Sequence, residues 1–148
     1  MMQIPKDYAT WVPLLDALKN HTDDEAVLQA MQQGTLVWQG GVAERFSKRL
    51  LAAVNGRLDH ATDTFQKQLA RARGQEGAII QALLQLRKEL AFMHKALAIP
   101  AVPEEQRKEF QKLVTDQADK MQQSLMDSAK QDRSGKLASI VRNHPLNR

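Results

Sequence analysis

The chain has no cysteine, few aromatic residues and no long apolar run. The absence of cysteine excludes a disulfide framework, a thiolate nucleophile and a cysteine-based zinc site. Aromatic residues make up 5% of the chain, and Tyr8 is the only tyrosine. A core of aliphatic residues suits helices packed on helices better than it suits a β-sandwich. No stretch approaches the roughly 18 apolar residues of a membrane span, and residues 1–6 do not resemble a signal peptide. We therefore expect a soluble, cytoplasmic protein.

The sequence also lacks the motifs that would identify a reaction. No histidine lies three or four residues from another, and there is no Glu-x-x-His, P-loop or Gly-x-Ser-x-Gly motif. The one cluster of ligand-type residues is His60, beside Asp59 and near Asp63. So few ligands on a polar helix face do not close a metal shell. Glu76 falls in an apolar stripe but lies beside two glycines, which favours an exposed position. We predict no catalytic, cofactor-binding or metal-binding residues, and hence no enzyme.

Residues 1–41 predict a small pair of helices followed by a loop. Apolar side chains at 8, 11, 15 and 18 have the spacing of one helix face, in a helix that begins near Asp7. Thr22 and Glu25 have the spacing of a capping box, in which each side chain bonds the other's backbone amide at the start of a second helix. Gly34 is a natural end for that helix. The segment 35–38 is predicted to be a loop with Trp38 anchored in the core.

Residues 42–132 predict a bundle of long helices. An apolar residue recurs every seventh position, which is typical of coiled-coil-like packing: Leu51, Leu58, Phe65, Ala72, Ile79, Leu86 and Met93. Gly74 and Gly77 interrupt this region, and Arg71 and Arg73 before Gly74 resemble a helix end. A continuous helix is the alternative, because each glycine would cost it only about 1 kcal/mol. A break at Gly74 is favoured, since it leaves segments of a length that can pack on the next helix.

A further helix is predicted after Pro103, and residues 133–148 form a basic tail. The tail contains a short helical stretch, 136–143, with Leu137, Ile140 and Val141 on one side. The fold class predicted for the whole chain is therefore all-α, an antiparallel helical bundle of coiled-coil-like long helices with a small N-terminal helical pair. The tail is predicted either to dock on a partner or to be a loose terminus.

Basic residues are concentrated in two parts of the chain. Residues 42–99 have ten basic and five acidic side chains, and residues 130–148 have five and one, whereas residues 1–41 and 100–129 are acidic. Either surface could bind a polyanion. The alternative is that the basic faces meet the acidic segments of the same fold or of a partner subunit, since charged helix faces are usually just solvated. The candidate surface residues are Arg45, Lys48, Arg49, Arg57, Lys67, Arg71, Arg73, Arg133, Lys136, Leu137, Ile140 and Arg142.

Two functional hypotheses from different classes follow. The first is a non-enzymatic interaction or scaffolding protein that is expected to form a homodimer, because long apolar heptads must be covered within the chain or by another subunit. The second is a nucleic-acid-associated accessory protein that uses the basic helix faces and the tail to neutralise phosphates. The second depends on charge alone, since no helix-turn-helix corner, zinc finger or RNA-recognition motif is visible. An enzyme whose site assembles only in three dimensions is a third alternative.

Overall fold

The computed structural model describes residues 3–132 and 134–146, and within these ranges it contains α-helices and no β-strand. Helices account for 78% of these residues, so the predicted all-α class is confirmed. The helices are α1 (Tyr8–Lys19), α2 (Asp24–Gln33), α3 (Gly40–Ala72), α4 (Glu76–Leu97), α5 (Glu104–Ala129) and α6 (Lys136–Asn143). None of the helices described here is both long and apolar enough to cross a membrane. The antiparallel order of the bundle stays a prediction.

The chain divides into two compact units, which we call unit 1 and unit 2. Unit 1 comprises Met1–Leu58 and Met93–Gln111, and unit 2 comprises Asp59–Phe92 and Lys112–Arg148. Unit 1 therefore contains α1, α2 and the first part of α3, whereas α6 belongs to unit 2. The predicted division into segments 1–41, 42–132 and 133–148 follows the order of elements along the chain, and it stays a prediction.

The two short helices form as predicted, but the capping box does not lie where the sequence indicated it. At α1, the Asp7 carboxylate accepts from the Thr10 amide at 2.9 Å while the Thr10 hydroxyl accepts from the Asp7 amide at 3.1 Å. At α2 the capping residue is Asp23, whose carboxylate accepts from Ala26 at 3.5 Å, so the predicted Thr22 cap is wrong. The physical reason is local, because Asp23 and Thr22 compete to cap the same first turn and aspartate is preferred over threonine as an N-cap residue.

Gly34 ends α2, although its backbone does not adopt the left-handed conformation that usually favours glycine at the end of a helix. Its φ is −71°, which any residue adopts. A Cβ atom at this position would lie 2.5 Å from the indole ring of Trp11 and 2.8 Å from the Pro5 ring. Trp11 is fully buried and its indole N–H donates to the Thr35 carbonyl at 2.9 Å. Glycine is therefore required by the close approach of the tryptophan.

The heptad pattern of the central region corresponds to buried positions. The residues of the predicted series from Leu58 to Met93 are all at most 6% exposed, and Leu51 is half-buried. The predicted break is confirmed, because α3 ends at Ala72 and α4 begins at Glu76. Arg73 and Gly74 have φ angles of 48° and 79°, which turns the chain between the two helices. Glu76 is exposed at the start of α4, as its glycine neighbours indicated.

The C-terminal stretch folds onto its own unit. It forms α6, preceded by Asp132, whose carboxylate accepts from the Leu137 amide at 3.0 Å. Ile140 and Val141 are 5% and 0% exposed. The Gln122 side chain on α5 donates to the Val141 carbonyl at 3.4 Å and accepts from the Leu146 amide at 3.2 Å. The apolar side of this helix is therefore covered by unit 2 and is not a free docking face.

We expect Gly34→Ala to destabilise the protein by about 1–3 kcal/mol, because the added methyl group overpacks a fully buried indole ring. The control is Gly77→Ala, where a Cβ atom would meet nothing within 4 Å in the first turn of α4. That change should be neutral or stabilising, by up to about 1 kcal/mol, because alanine is the better helix former. Urea unfolding curves measure both free energies, and equal effects of the two substitutions would contradict the packing argument.

Candidate functional site

The candidate site is a groove in unit 1, lined by residues of α1 and α3. Its volume is about 300 Å³. We call it the basic groove, and its lining residues are Tyr8, Leu15, Asp16 and Lys19 from α1, with Arg45, Lys48, Arg49, Ala52 and Ala53 from α3. Both sets have the spacing of successive turns on one helix face. The floor includes the buried Leu15 and Ala53 side chains, whereas the charged residues form the rim.

Two arginines of the groove are held in place by neighbouring groups. The Arg45 guanidinium carbon lies 5.3 Å from the centre of the Tyr8 ring, a cation–π distance, and its Nε donates to the Gly41 carbonyl at 3.1 Å. Arg49 donates from Nε to the Tyr8 hydroxyl at 3.4 Å and from Nη1 to the Asp16 carboxylate at 3.2 Å. The bond to Tyr8, together with Asp16, raises the pKa of Arg49 above its ordinary value. Arg49 therefore stays charged.

The charge of the groove is strongly positive. Lys19, Arg45 and Lys48 are exposed, and none of them has an ion-pair partner within the described part of the chain. The carboxylate of the groove, on Asp16, is bound to Arg49. The arrangement provides cationic donors over an apolar floor, and it can bind an anion that has an apolar part. Elsewhere in residues 3–132 and 134–146, no group of three His, Asp or Glu side chains is placed to hold a metal ion.

The structure brings some of the sequence-predicted surface residues together and separates others. Arg45, Lys48 and Arg49 meet in the basic groove. In unit 2, Lys67 pairs with Asp63 at 3.0 Å, and the remaining exposed cations of the predicted set are Arg71, Arg73, Lys136 and Arg142. Leu137 is half-buried, and Ile140 is buried in unit 2, so the prediction that Ile140 lies on an interaction surface is wrong. Arg133 lies outside the described residues.

Arg57 was predicted to lie on the basic surface, and this is wrong because it is completely buried. Its Nη1 donates to the Leu18 carbonyl at 2.7 Å and to Asp24 Oδ1 at 2.9 Å, and its Nη2 donates to Asp24 Oδ2 at 2.9 Å. A buried guanidinium needs such a two-pronged partner to offset its loss of water. A signal was present in the sequence, because Arg57 lies seven residues after the buried Leu50 and hence on the inner face of α3.

The α1 residues of the groove were not identified from the sequence. Tyr8 had been assigned to the inner face of its helix, and the structure instead places it half-buried with its ring against Arg45. Asp16 and Lys19 are ordinary exposed residues of α1, and nothing in their spacing indicated the partner helix. Comparisons of the chain with protein-family models, with curated proteins and with solved structures find no match. The function of the groove is therefore argued from its own geometry.

From the Arg57–Asp24 ion pair we predict that the free energy of unfolding decreases at acid pH. The hydrogen bonds from Arg57 lower the pKa of Asp24 from its ordinary value of 3.8. A carboxyl group whose pKa is lower in the folded than in the unfolded protein stabilises the fold at pH values above the unfolded pKa. This stabilisation is lost as the pH falls through the folded pKa. We expect Asp24→Asn to cost about 3 kcal/mol at neutral pH, since it leaves a buried charge without its counterion. The cost should shrink as the pH falls below that ordinary value.

The control for this experiment is Asp16→Asn, which removes the partly exposed partner of Arg49. A pair with side chains 41% and 54% exposed contributes little to stability, because water screens it. Urea unfolding at a series of pH values measures both variants. Equal losses for the two substitutions, or a cost of Asp24→Asn that does not change with pH, would contradict the role given to Arg57.

Proposed function

We propose that the protein is a non-enzymatic helical interaction module, and that its basic groove binds an acidic segment of a partner protein. The observation that supports this proposal is the pairing of a cationic rim with an apolar floor. Lys19, Arg45 and Lys48 are available for carboxylates of the partner, and the exposed Ala52 offers contact area for an apolar side chain. A volume of about 300 Å³ accommodates a few side chains, at the lower end of the range for binding sites.

The same features favour a protein over a nucleic acid as the partner. Duplex DNA has one charge per roughly 1.7 Å of its axis, and proteins bind it through many phosphate contacts along a wide surface. The basic groove is short and has an apolar floor. Binding of a single strand usually needs free aromatic rings on which bases stack. Tyr8, the ring in the groove, already has the Arg45 guanidinium over its face. A cytoplasmic location, expected from the cysteine-free composition, is part of this proposal.

Nucleic-acid association is the second candidate function. The observation that favours it is that Arg71 and Arg73 in unit 2 are exposed and have no ion-pair partner within the described residues. These cations lie at the end of α3 and in the turn that follows it. Under this alternative, loss of these cations should weaken binding in the same way as loss of the groove cations, since phosphate neutralisation depends on total charge.

The test uses a short fluorescein-labelled peptide of Glu, Leu and Ala, with labelled duplex DNA as the rival probe, in about 50 mM salt, where electrostatic contacts are strongest. Fluorescence anisotropy should detect peptide binding. The double variant Arg45→Gln, Lys48→Gln should weaken it by about tenfold or more, because charge-assisted hydrogen bonds are lost. The matched control, Arg71→Gln with Lys88→Gln, removes the same charge from exposed positions of unit 2 and should leave peptide binding unchanged.

The outcomes separate the two candidate functions. Absence of peptide binding, or equal losses in the groove and control variants, would overturn the groove as a protein-binding site. Binding of DNA that weakens equally in both double variants would instead support the nucleic-acid function. Both sets of substitutions replace exposed side chains, so the thermal transitions of the variants should match that of the parent protein.

Homodimer formation is part of the proposal as well. The heptad positions from Leu58 to Met93 are buried within the single chain, so these side chains do not need a second copy to cover them. Two large apolar side chains of unit 2, Leu84 on α4 and Leu113 on α5, are 42% and 49% exposed and provide candidate contacts. Sedimentation equilibrium should detect a dimer that weakens on Leu84→Gln and Leu113→Gln. A monomer at all concentrations would contradict the prediction.

A further inference from the structure

The donors of the basic groove are positioned before any ligand binds. The Nε group of Arg45 is bonded to the Gly41 carbonyl, and the Nε group of Arg49 is bonded to the Tyr8 hydroxyl. These bonds restrict the two guanidinium planes, while both Nη groups of Arg45 have no hydrogen-bond partner within the described residues. A guanidinium that is held in advance loses little side-chain freedom when an oxyanion binds it.

The charge of the groove exceeds what one carboxylate can neutralise. Lys19, Arg45, Lys48 and Arg49 surround a volume of about 300 Å³, and Asp16 offsets one of these four charges. A carboxylate has one negative charge and two oxygens. A phosphomonoester has a charge of about −1.5 to −2 at neutral pH and three strong acceptor oxygens. Planar guanidinium groups bind phosphate through paired hydrogen bonds, and lysines add charge to it.

We propose that the basic groove recognises a phosphomonoester on the acidic partner segment, so that binding of the partner depends on its phosphorylation. The inference rests on the proposed protein-binding function. The apolar part of the groove distinguishes a phosphorylated protein segment from inorganic phosphate, because the exposed Ala52 side chain stays uncovered when a lone anion binds. A nucleic-acid strand provides phosphodiesters of single charge, which match the concentrated charge of this short groove less well.

The experiment compares three labelled peptides that differ at one residue, with phosphoserine, glutamate or serine at the centre of the same Glu, Leu and Ala sequence. Anisotropy titrations with the full chain should show the phosphoserine peptide binding at least about tenfold more tightly than the glutamate peptide, since it offers more charge-assisted hydrogen bonds. The serine peptide should bind most weakly. Arg45→Lys keeps the positive charge but removes the planar guanidinium group with its paired N–H donors. It should therefore reduce the preference for phosphoserine over glutamate, while the thermal transition of the protein stays unchanged.

A pH series provides a readout that does not depend on any substitution. The phosphomonoester loses its second charge near pH 6, whereas a glutamate ordinarily stays ionised down to about pH 4.3. The charged groups that line the groove from α1 and α3 are Asp16, Lys19, Arg45, Lys48 and Arg49, with Tyr8 as the other titratable group, and no histidine is among these described lining residues. Lowering the pH from about 7.5 to about 5.5 should therefore weaken binding of the phosphoserine peptide and leave the glutamate peptide unaffected.

The outcomes distinguish failure of phosphate recognition from failure of the proposed protein-binding function. Tighter, pH-dependent binding of the phosphoserine peptide that is lost on Arg45→Gln with Lys48→Gln supports the inference. Equal affinities for the phosphoserine and glutamate peptides, both lost in that variant, overturn phosphate recognition but leave the proposed protein-binding function in place. Failure of all three peptides to bind overturns both. If an unlabelled duplex DNA displaces the phosphoserine peptide more effectively than unlabelled phosphopeptide does, the inference also falls and the nucleic-acid alternative is favoured.

Discussion

The buried guanidinium of Arg57 joins three helices of unit 1. From its position on α3 it donates to the last turn of α1, at the Leu18 carbonyl, and to the first residue of α2, Asp24. A buried cation is costly unless its donors are satisfied, so the helices that supply its acceptors must lie where those donors reach. The pair thus specifies how α1 and α2 are arranged against α3, whatever its net contribution to stability.

The basic groove depends on that arrangement, because its two walls come from α1 and α3. Tyr8 and Asp16 from α1 hold the guanidinium groups that project from α3. At the other end of the same helix, Lys19 lies against the backbone of Gly56, where a Cβ atom would be 3.7 Å from the lysine side chain. The stability of unit 1 and its proposed binding function therefore involve the same helix pair. A substitution that displaces α1 should affect both, whereas exchange of an exposed groove cation should affect binding alone.

Features of the site that depend on residues close together in the sequence could be predicted, whereas features that depend on residues far apart in the sequence could not. The cations of one helix face, Arg45, Lys48 and Arg49, were recognisable because helical spacing alone brings them together. The α1 side of the groove was not, since no local pattern says which helix a given face will meet. Arg57 and Ile140 were misplaced for a related reason. Charge and amphipathic spacing indicate which side chains share a face, but burial depends on partners that lie far away in sequence, such as Asp24 for Arg57.

The sequence by itself determined the helical class, most helix limits, the break after Ala72 and the apolar series from Leu58 to Met93, because heptad spacing and glycine act over a few residues. Only the tertiary structure decided which cations are surface groups and where the C-terminal helix lies. Arg57 is buried because the Leu18 carbonyl and the Asp24 carboxylate accept hydrogen bonds from its guanidinium group. Ile140 is covered because α6 packs within unit 2. Both outcomes depend on desolvation, which is a property of the packed chain and not of any local pattern.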